Sequence, residues 1–193
     1  MYGDCGGALI DETRPLRPRS ARAWRRVSAE RQLRAYGRRN GWRGCRVSLL
    51  RAPGIYAADR MPLERLQRGL PLLHADEDAY TNHIHAEDLA RACVHALERG
   101  RSNRAVNVVD DTDLRMAEWF DLLAQRYGLP RAPRASWAEM QQRLSPMQLS
   151  FMGESRRIGN RRLRRELCLD LRYPTVHAGI DAALAVAAPS SSP

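Results

Sequence analysis

The sequence predicts an α/β fold followed by a helical cap, and three observations predict it. Short apolar and β-branched runs alternate with helical periodicities through the first 111 residues. From residue 112 onward the periodicity is helical only. Within the first stretch, Tyr80-Thr81-Asn82-His83-Ile84-His85-Ala86-Glu87-Asp88-Leu89-Ala90 delivers polar, titratable side chains at a strand-to-helix junction, where α/β proteins usually bind ligands. Only two strands read firmly, and a parallel sheet of two strands with both edges exposed is unstable alone. The sequence therefore looks like the second half of a larger fold. Residues 1–111 read as a partial core with interspersed cap segments, 112–187 as a mainly helical region, and 188–193 as a disordered tail.

The elements follow in order. Gly3, Gly6 and Gly7 open a flexible loop, which Pro15 and Pro18 continue; no strand precedes them and they form no Gly-x-Gly-x-x-Gly. A helix runs from about Ala21 to Arg38 with Ala29, Leu33 and Tyr36 on one face, and Asn40-Gly41 ends it. Arg46 to Leu50 is the first firm strand, left through the Pro53-Gly54 turn. Met61 to Gly69 is a short helix. Tyr80 to Ile84 is extended, and Leu89, Ala92, Cys93, Ala96 and Leu97 give the next helix its apolar stripe. Glu87 and Asp88 sit in its first turn, at the positive end of the helix dipole. Ala105 to Val109 is the second firm strand. A helix from Met116 to Tyr127 stops at Gly128 and Pro130. Ser136 and Glu139 form a capping box, Asn160 caps a basic helix through Leu167, and Val176 to Ala187 is the last helix.

A net charge of +10 invites a nucleic-acid role. The chain has no lysine, however, so all 32 basic residues are arginine, and they are dispersed. That pattern fits solvated helix faces and a GC-rich gene better than selection for phosphate contacts. A nucleic-acid partner is thus not expected, and neither is a membrane: no apolar run nears the ~20 residues that span a bilayer. No signal peptide is visible, and the four scattered cysteines fit reduced thiols in a cytoplasm.

His83 and His85, two residues apart in an extended segment, point to one face. They could hold a metal, though no third ligand lies at a recognisable spacing. They could be satisfied by backbone partners at the helix start, or they could wall a pocket.

Four segments, in order, resemble the extended, atypical short-chain dehydrogenase/reductases, the NAD(P)-dependent epimerase/dehydratase family. Tyr2-Gly3 with Asp11-Glu12 resembles its "VYG…DE" loop. Arg51-Ala52-Pro53-Gly54-Ile55-Tyr56 resembles its "R-P-G-x-x-Y-G" turn. Asn82 to Ala90 resembles its "I-H-V-x-D-x-A" segment, and Asn160 to Leu167 with Tyr173-Pro174 resembles its "N-x-K-x-x-x-x-L-G…Y-P" ending. The resemblance implies the C-terminal portion of a Rossmann-like, doubly wound fold with a small helical cap on the substrate side. It also implies that the N-terminal βαβ units, with the Gly-rich phosphate loop and the catalytic Ser/Thr, are missing. At roughly 30 residues per unit, that is about a hundred residues. Met1 falls at the family's Val position, and a GTG valine codon can be read as a start, so a truncated reading frame is expected.

The resemblance assigns site residues by position. Aligned on Ala29-Glu30, the family's Tyr-x-x-x-Lys pair becomes Arg22 and Arg26. A guanidinium stays protonated, so Arg22 cannot act as general acid or base. Arg26 can still offer charge and hydrogen bonds to a ribose. Tyr2 or Tyr56 could replace the acid, though no spacing demands it. Arg26, Pro53, Gly54 and Ile55 are implied to meet NAD or NADP on the nicotinamide side. Tyr56, Tyr80, Asn82 and His85 are implied to face a small-molecule substrate. Each also has a plain structural reading: a turn for Pro53-Gly54, a solvated face for Arg26, packing for Tyr56. Without a phosphate loop, cofactor binding by this chain is expected to be weak or absent. A homodimer, and a non-catalytic NAD(P)-sensing role for the same fold, are further expectations.

Overall fold

In the computed structural model, residues 1–145, 148–149 and 152–187 are described; the expected tail 188–193 lies outside them. The chain runs β1 (Leu9–Ile10), α1 (Ala21–Asn40), β2 (Leu49–Arg51), β3 (Gly54–Tyr56), α2 (Glu64–Gln67), β4 (Leu72–Leu73), β5 (Tyr80–Thr81), β6 (His83–His85) and α3 (Ala86–Arg99). It continues with β7 (Ala105–Asn107), β8 (Leu114–Arg115), α4 (Met116–Arg126), β9 (Arg134–Ala135), α5 (Trp137–Arg143), β10 (Arg157–Ile158), α6 (Arg161–Arg165) and α7 (Val176–Ala187).

Two parallel strand pairs form the centre. β2 pairs with β7, Leu49 opposite Ala105, and β3 pairs with β6, Gly54 opposite His83. β6, α3 and β7 are consecutive, so α3 is the crossover between the two pairs. Its apolar stripe meets a core of Ile84, Ala92, Val106, Val108, Leu163, Leu167 and Leu169. Each fully buried aliphatic side chain there contributes about 1.5–3 kcal/mol. On the cap side, Tyr56, Leu66, Leu72, Trp119, Phe120, Leu123, Val176 and Ile180 form a second core. Stretches 1–111 and 112–187 interleave: β1 pairs with β10, β4 with β9, and β5 antiparallel with β8.

Several expectations change. Helix α1 buries Ala23, Val27, Glu30 and Gly37. Leu33 and Tyr36 are 50% and 54% exposed. At the buried position 37 a Cβ would lie 3.0 Å from Val47 Cγ2, so a side chain larger than glycine's is crowded there. The Tyr80–Ile84 stretch splits at Asn82, because Tyr80–Thr81 and His83–His85 pair with different strands. Asn82 fastens that break: its Nδ2 donates to Arg156 O at 2.9 Å, and its Oδ1 accepts from Ile158 N at 2.8 Å. Asn160 makes no capping bond with its side chain. It donates instead to Val109 O and Asp111 Oδ1, tying α6 to the loop after β7.

Other boundaries follow their signals. Ser136 and Glu139 form the capping box of α5. Asp88, fully buried in the first turn of α3, accepts from the backbone N–H groups of Arg172 and Tyr173 at 2.9 and 2.8 Å, and from Arg91 at 2.7 Å. It therefore bolts α3 to the segment leading into α7. No described helix is long and apolar enough to cross a membrane.

Candidate functional site

A cavity of about 570 Å³ opens between the first half of α1, the β2–β3 turn, the β5–β6 junction and the segment entering β10. That size suits a small organic ligand. Arg26, Pro53, Gly54, Tyr80 and Asn82 line it, as does Arg22. Ile55, Tyr56 and His85 do not. The side-chain alternation of β3 explains part of this: Ile55 is 41% exposed, whereas Tyr56 is buried among cap residues.

The floor is a buried polar network that sequence reasoning missed. The Tyr2 hydroxyl donates to Asn107 Oδ1 at 2.7 Å and accepts from Arg51 Nη1 at 2.7 Å. Arg51 also donates to both Glu30 oxygens, at 3.0 and 2.6 Å, and Arg34 donates to Glu30 at 3.0 and 3.1 Å. Burial raises the Glu30 carboxyl, but the bonds and charges of Arg51 and then Arg34 outweigh it and hold the group below the usual carboxylate range. Burial pushes the Tyr2 hydroxyl up despite Arg51 and Asn107. A polar residue inside the run Ala105-Val106-Asn107-Val108-Val109 was the one sequence signal for this network.

The rim is basic. Arg22 and Arg26 are four residues apart on α1, so they share a face. Arg156 donates to Glu154 at 2.7 Å and to Gly3 O at 3.3 Å.

Beyond β3 and β6 lies an aromatic cluster. The Tyr56 ring stands edge-on to His83, His85 and Trp119, with centroids at 6.3, 5.3 and 5.9 Å. Its hydroxyl donates to Thr175 O at 3.3 Å. Burial, then the Asp110 and Asp88 charges, push that hydroxyl well above its ordinary range. Neither Tyr56 nor Tyr2 is therefore placed as a ready proton donor to the cavity. His85 stacks on Tyr173 at 3.8 Å, and its Nδ1 accepts from Glu87 N at 3.2 Å, capping α3. His83 is buried, and burial lowers it to about 4. Asp110 is buried with Oδ2 unpartnered, and burial raises it to about 7. No group of three His, Cys, Asp or Glu among the described residues could hold a metal.

A nicotinamide cofactor fits this cavity at one end only. Arg26 is a charged donor on the wall, and the backbone at Pro53 and Gly54 forms the edge. Gly54 itself answers to the strand pair, because a Cβ there would lie 3.0 Å from Asn82 O. Nothing in the sequence offers the Gly-x-Gly-x-x-Gly turn that seats a pyrophosphate.

Parallel strands joined by a crossover helix, with a ligand-sized cavity at the strand ends, define a Rossmann-like protein with a helical cap. The chain belongs to the NAD dependent epimerase/dehydratase family, which matches residues 1–109. The resemblance read from the four sequence segments is thus borne out. Among solved structures, a functionally unknown conserved protein from Silicibacter pomeroyi DSS superposes with a TM-score of 0.83 at 32% identity, over 96% of this chain and 63% of that one. A UDP-glucose 4-epimerase from Thermotoga maritima, solved with UDP-glucose, gives 0.74 at 18% identity, over 95% and 59%. A dTDP-glucose 4,6-dehydratase from Bacillus anthracis str. Ames, in complex with NAD, gives 0.71 at 18% identity, over 95% and 57%. The chain spans about three fifths of the length of these structures. No curated protein matches it.

Proposed function

We propose that the protein is an NAD(P)-dependent, epimerase/dehydratase-like oxidoreductase in which this cavity receives the nicotinamide side of the cofactor beside a small hydroxyl- or keto-bearing substrate, of nucleotide-sugar-like type. The observation that supports it is the convergence of Arg26, Pro53, Gly54, Tyr80 and Asn82 on one cavity, although they come from three separate stretches of sequence. When bound, the nicotinamide would supply a hydride acceptor or donor. Arg26 would hold the ribose by charge and hydrogen bonds. Pro53 and Gly54 would form the wall, and Asn82 would keep the β5–β6 junction in register. Without a phosphate seat in the sequence, cofactor binding by the 193-residue chain is expected to be weak or absent.

A second reading is a non-catalytic NAD(P)-sensing protein, and a specific observation favours it. Arg22 stands where the family's proton-transferring Tyr falls, and the Tyr2 and Tyr56 hydroxyls are both engaged and both raised. Turnover assays on hydroxyl and keto substrates, with NADH and NADPH at millimolar concentration, separate the two. Cofactor-dependent turnover by the wild-type chain supports the enzyme. Turnover that emerges only in Arg22→Tyr/Arg26→Lys supports the sensor.

A further inference from the structure

The outer face of α1 is basic and aromatic. Seven arginines lie on this 20-residue helix against one carboxylate, Glu30, which is buried and already held by Arg51 and Arg34. Two neighbouring rows run along the exposed side at seven-residue spacing, which is two helical turns: Trp24, Arg31 and Arg38, then Arg25, Gln32 and Arg39. Among the described residues, Arg25, Arg31, Arg38 and Arg39 pair with no carboxylate. The turn Gly41–Arg43 adds Trp42, 78% exposed, with the Arg43 guanidinium 4.5 Å from its ring. Trp24 is 53% exposed. A tryptophan therefore stands in water at each end of the helix with arginines between them. Those two residue types dominate the hot spots of protein interfaces. None of these residues lines the cavity.

Charge and spacing select the occupant. A second copy of this chain would set arginine against arginine. A membrane-bound helix needs a continuous apolar side, and here arginines interrupt it. A single nucleic-acid strand needs aromatic rings close enough to stack successive bases, whereas Trp24 and Trp42 are roughly 27 Å apart along the helix at 1.5 Å per residue. Carboxylates match the guanidinium forks and can be spaced along a protein segment to meet both rows. We propose that this face of α1 docks an acidic segment of a partner protein. Its carboxylates pair with Arg25, Arg31, Arg38 and Arg39, and its apolar side chains cover Trp24 and Trp42. The surface is separate from the cavity and does not depend on the cofactor reading.

The test is fluorescence anisotropy of a labelled glutamate–tyrosine copolymer, and of poly-glutamate with the same number of carboxylates, titrated with the 193-residue chain at low ionic strength. The copolymer should bind more tightly than poly-glutamate, and both should weaken as salt is added. Arg31→Gln/Arg38→Gln should weaken binding about 10-fold. Arg161→Gln/Arg165→Gln removes the same charge from exposed positions on α6 and should leave binding nearly unchanged. Trp24→Ala/Trp42→Ala should erase the advantage of the copolymer. All these positions are exposed, so the variants should keep the fold, which circular dichroism checks. No binding, equal weakening by the two arginine pairs, or an advantage that survives loss of both tryptophans overturns the proposal. Tighter binding of an equally charged oligonucleotide, single-stranded or duplex, or of phosphatidylserine vesicles overturns it in favour of those surfaces. A dimer in sedimentation that Arg31→Gln/Arg38→Gln dissociates overturns it in favour of a second copy.

Discussion

Asp110 and His83 oppose each other in the pH dependence of stability, and removing either should expose the other. Both are 4% exposed. Asp110 Oδ1 accepts from Thr112 N at 3.0 Å, while Oδ2 has no partner. Burial raises the carboxyl from 3.8 to about 7. Between those values the native state holds a proton that the unfolded chain has released, so stability is lost as pH rises through that window. At about 1.4 kcal/mol per pH unit, the loss is about 4 kcal/mol. His83 works the other way. Its Nδ1 is unpartnered, and burial lowers it from 6.5 to about 4. The unfolded chain takes up a proton that the native state refuses, so stability is lost as pH falls from 6.5 to 4, by about 3 kcal/mol. Over the shared window the two slopes nearly cancel. Asp110→Asn retains the oxygen that accepts from Thr112 and removes the titration. Urea unfolding from about pH 4 to pH 7 should show the variant gaining about 4 kcal/mol relative to wild type as pH rises. His83→Gln should lose about 3 kcal/mol relative to wild type as pH rises from about 4 to 6.5. Profiles parallel to wild type in both variants would refute the burial argument.

Other perturbations read other parts of the structure. Glu30→Gln leaves Arg51 buried and uncompensated, and should cost about 3–5 kcal/mol in urea unfolding at neutral pH. Because the Glu30 carboxyl is held below its ordinary value, its contribution is present above that value and fades in acid, so the gap between variant and wild type should close as pH falls below the ordinary carboxylate range. Asp88→Ala leaves the Arg172 and Tyr173 N–H groups without their acceptor, at about 1–3 kcal/mol for each buried group. Hydrogen exchange at those two amides should accelerate in step with the stability loss. Arg22→Tyr/Arg26→Lys restores a side chain that can transfer a proton, and should raise cofactor-dependent turnover about 10²-fold or more; an unchanged rate would show that more than proton transfer is lacking.

Local signals in the sequence carried local structure. The last helix, Val176–Ala187, coincides with its expected bounds, and the Ser136–Glu139 capping box was legible because both partners lie within one helical turn. The two firm strands proved to be each other's partners, β2 and β7. What depended on remote partners was not legible. The split at Asn82 is set by strands that begin at Gly54 and Leu114. The buried face of α1 runs through Ala23, Val27, Glu30 and Gly37, where Val47 and the Glu30 partner Arg51 meet the helix, and leaves the larger Leu33 and Tyr36 exposed. Asn160 looked like a cap because the sequence does not show Val109 and Asp111 about fifty residues earlier within reach. At the cavity, positions taken from the resemblance brought in Arg22 and Arg26. Arg156 and Glu154, and the bond from Tyr2 to Asn107 across 105 residues, had no motif to announce them.

The most direct test of the cavity's assignment is a backbone-amide NMR titration of the 193-residue chain with NADPH and with NADH up to millimolar concentration. The account predicts weak binding, with shifts concentrated at Arg26, Gly54, Thr81 and Asn82. Micromolar affinity, or shifts centred elsewhere, would contradict it.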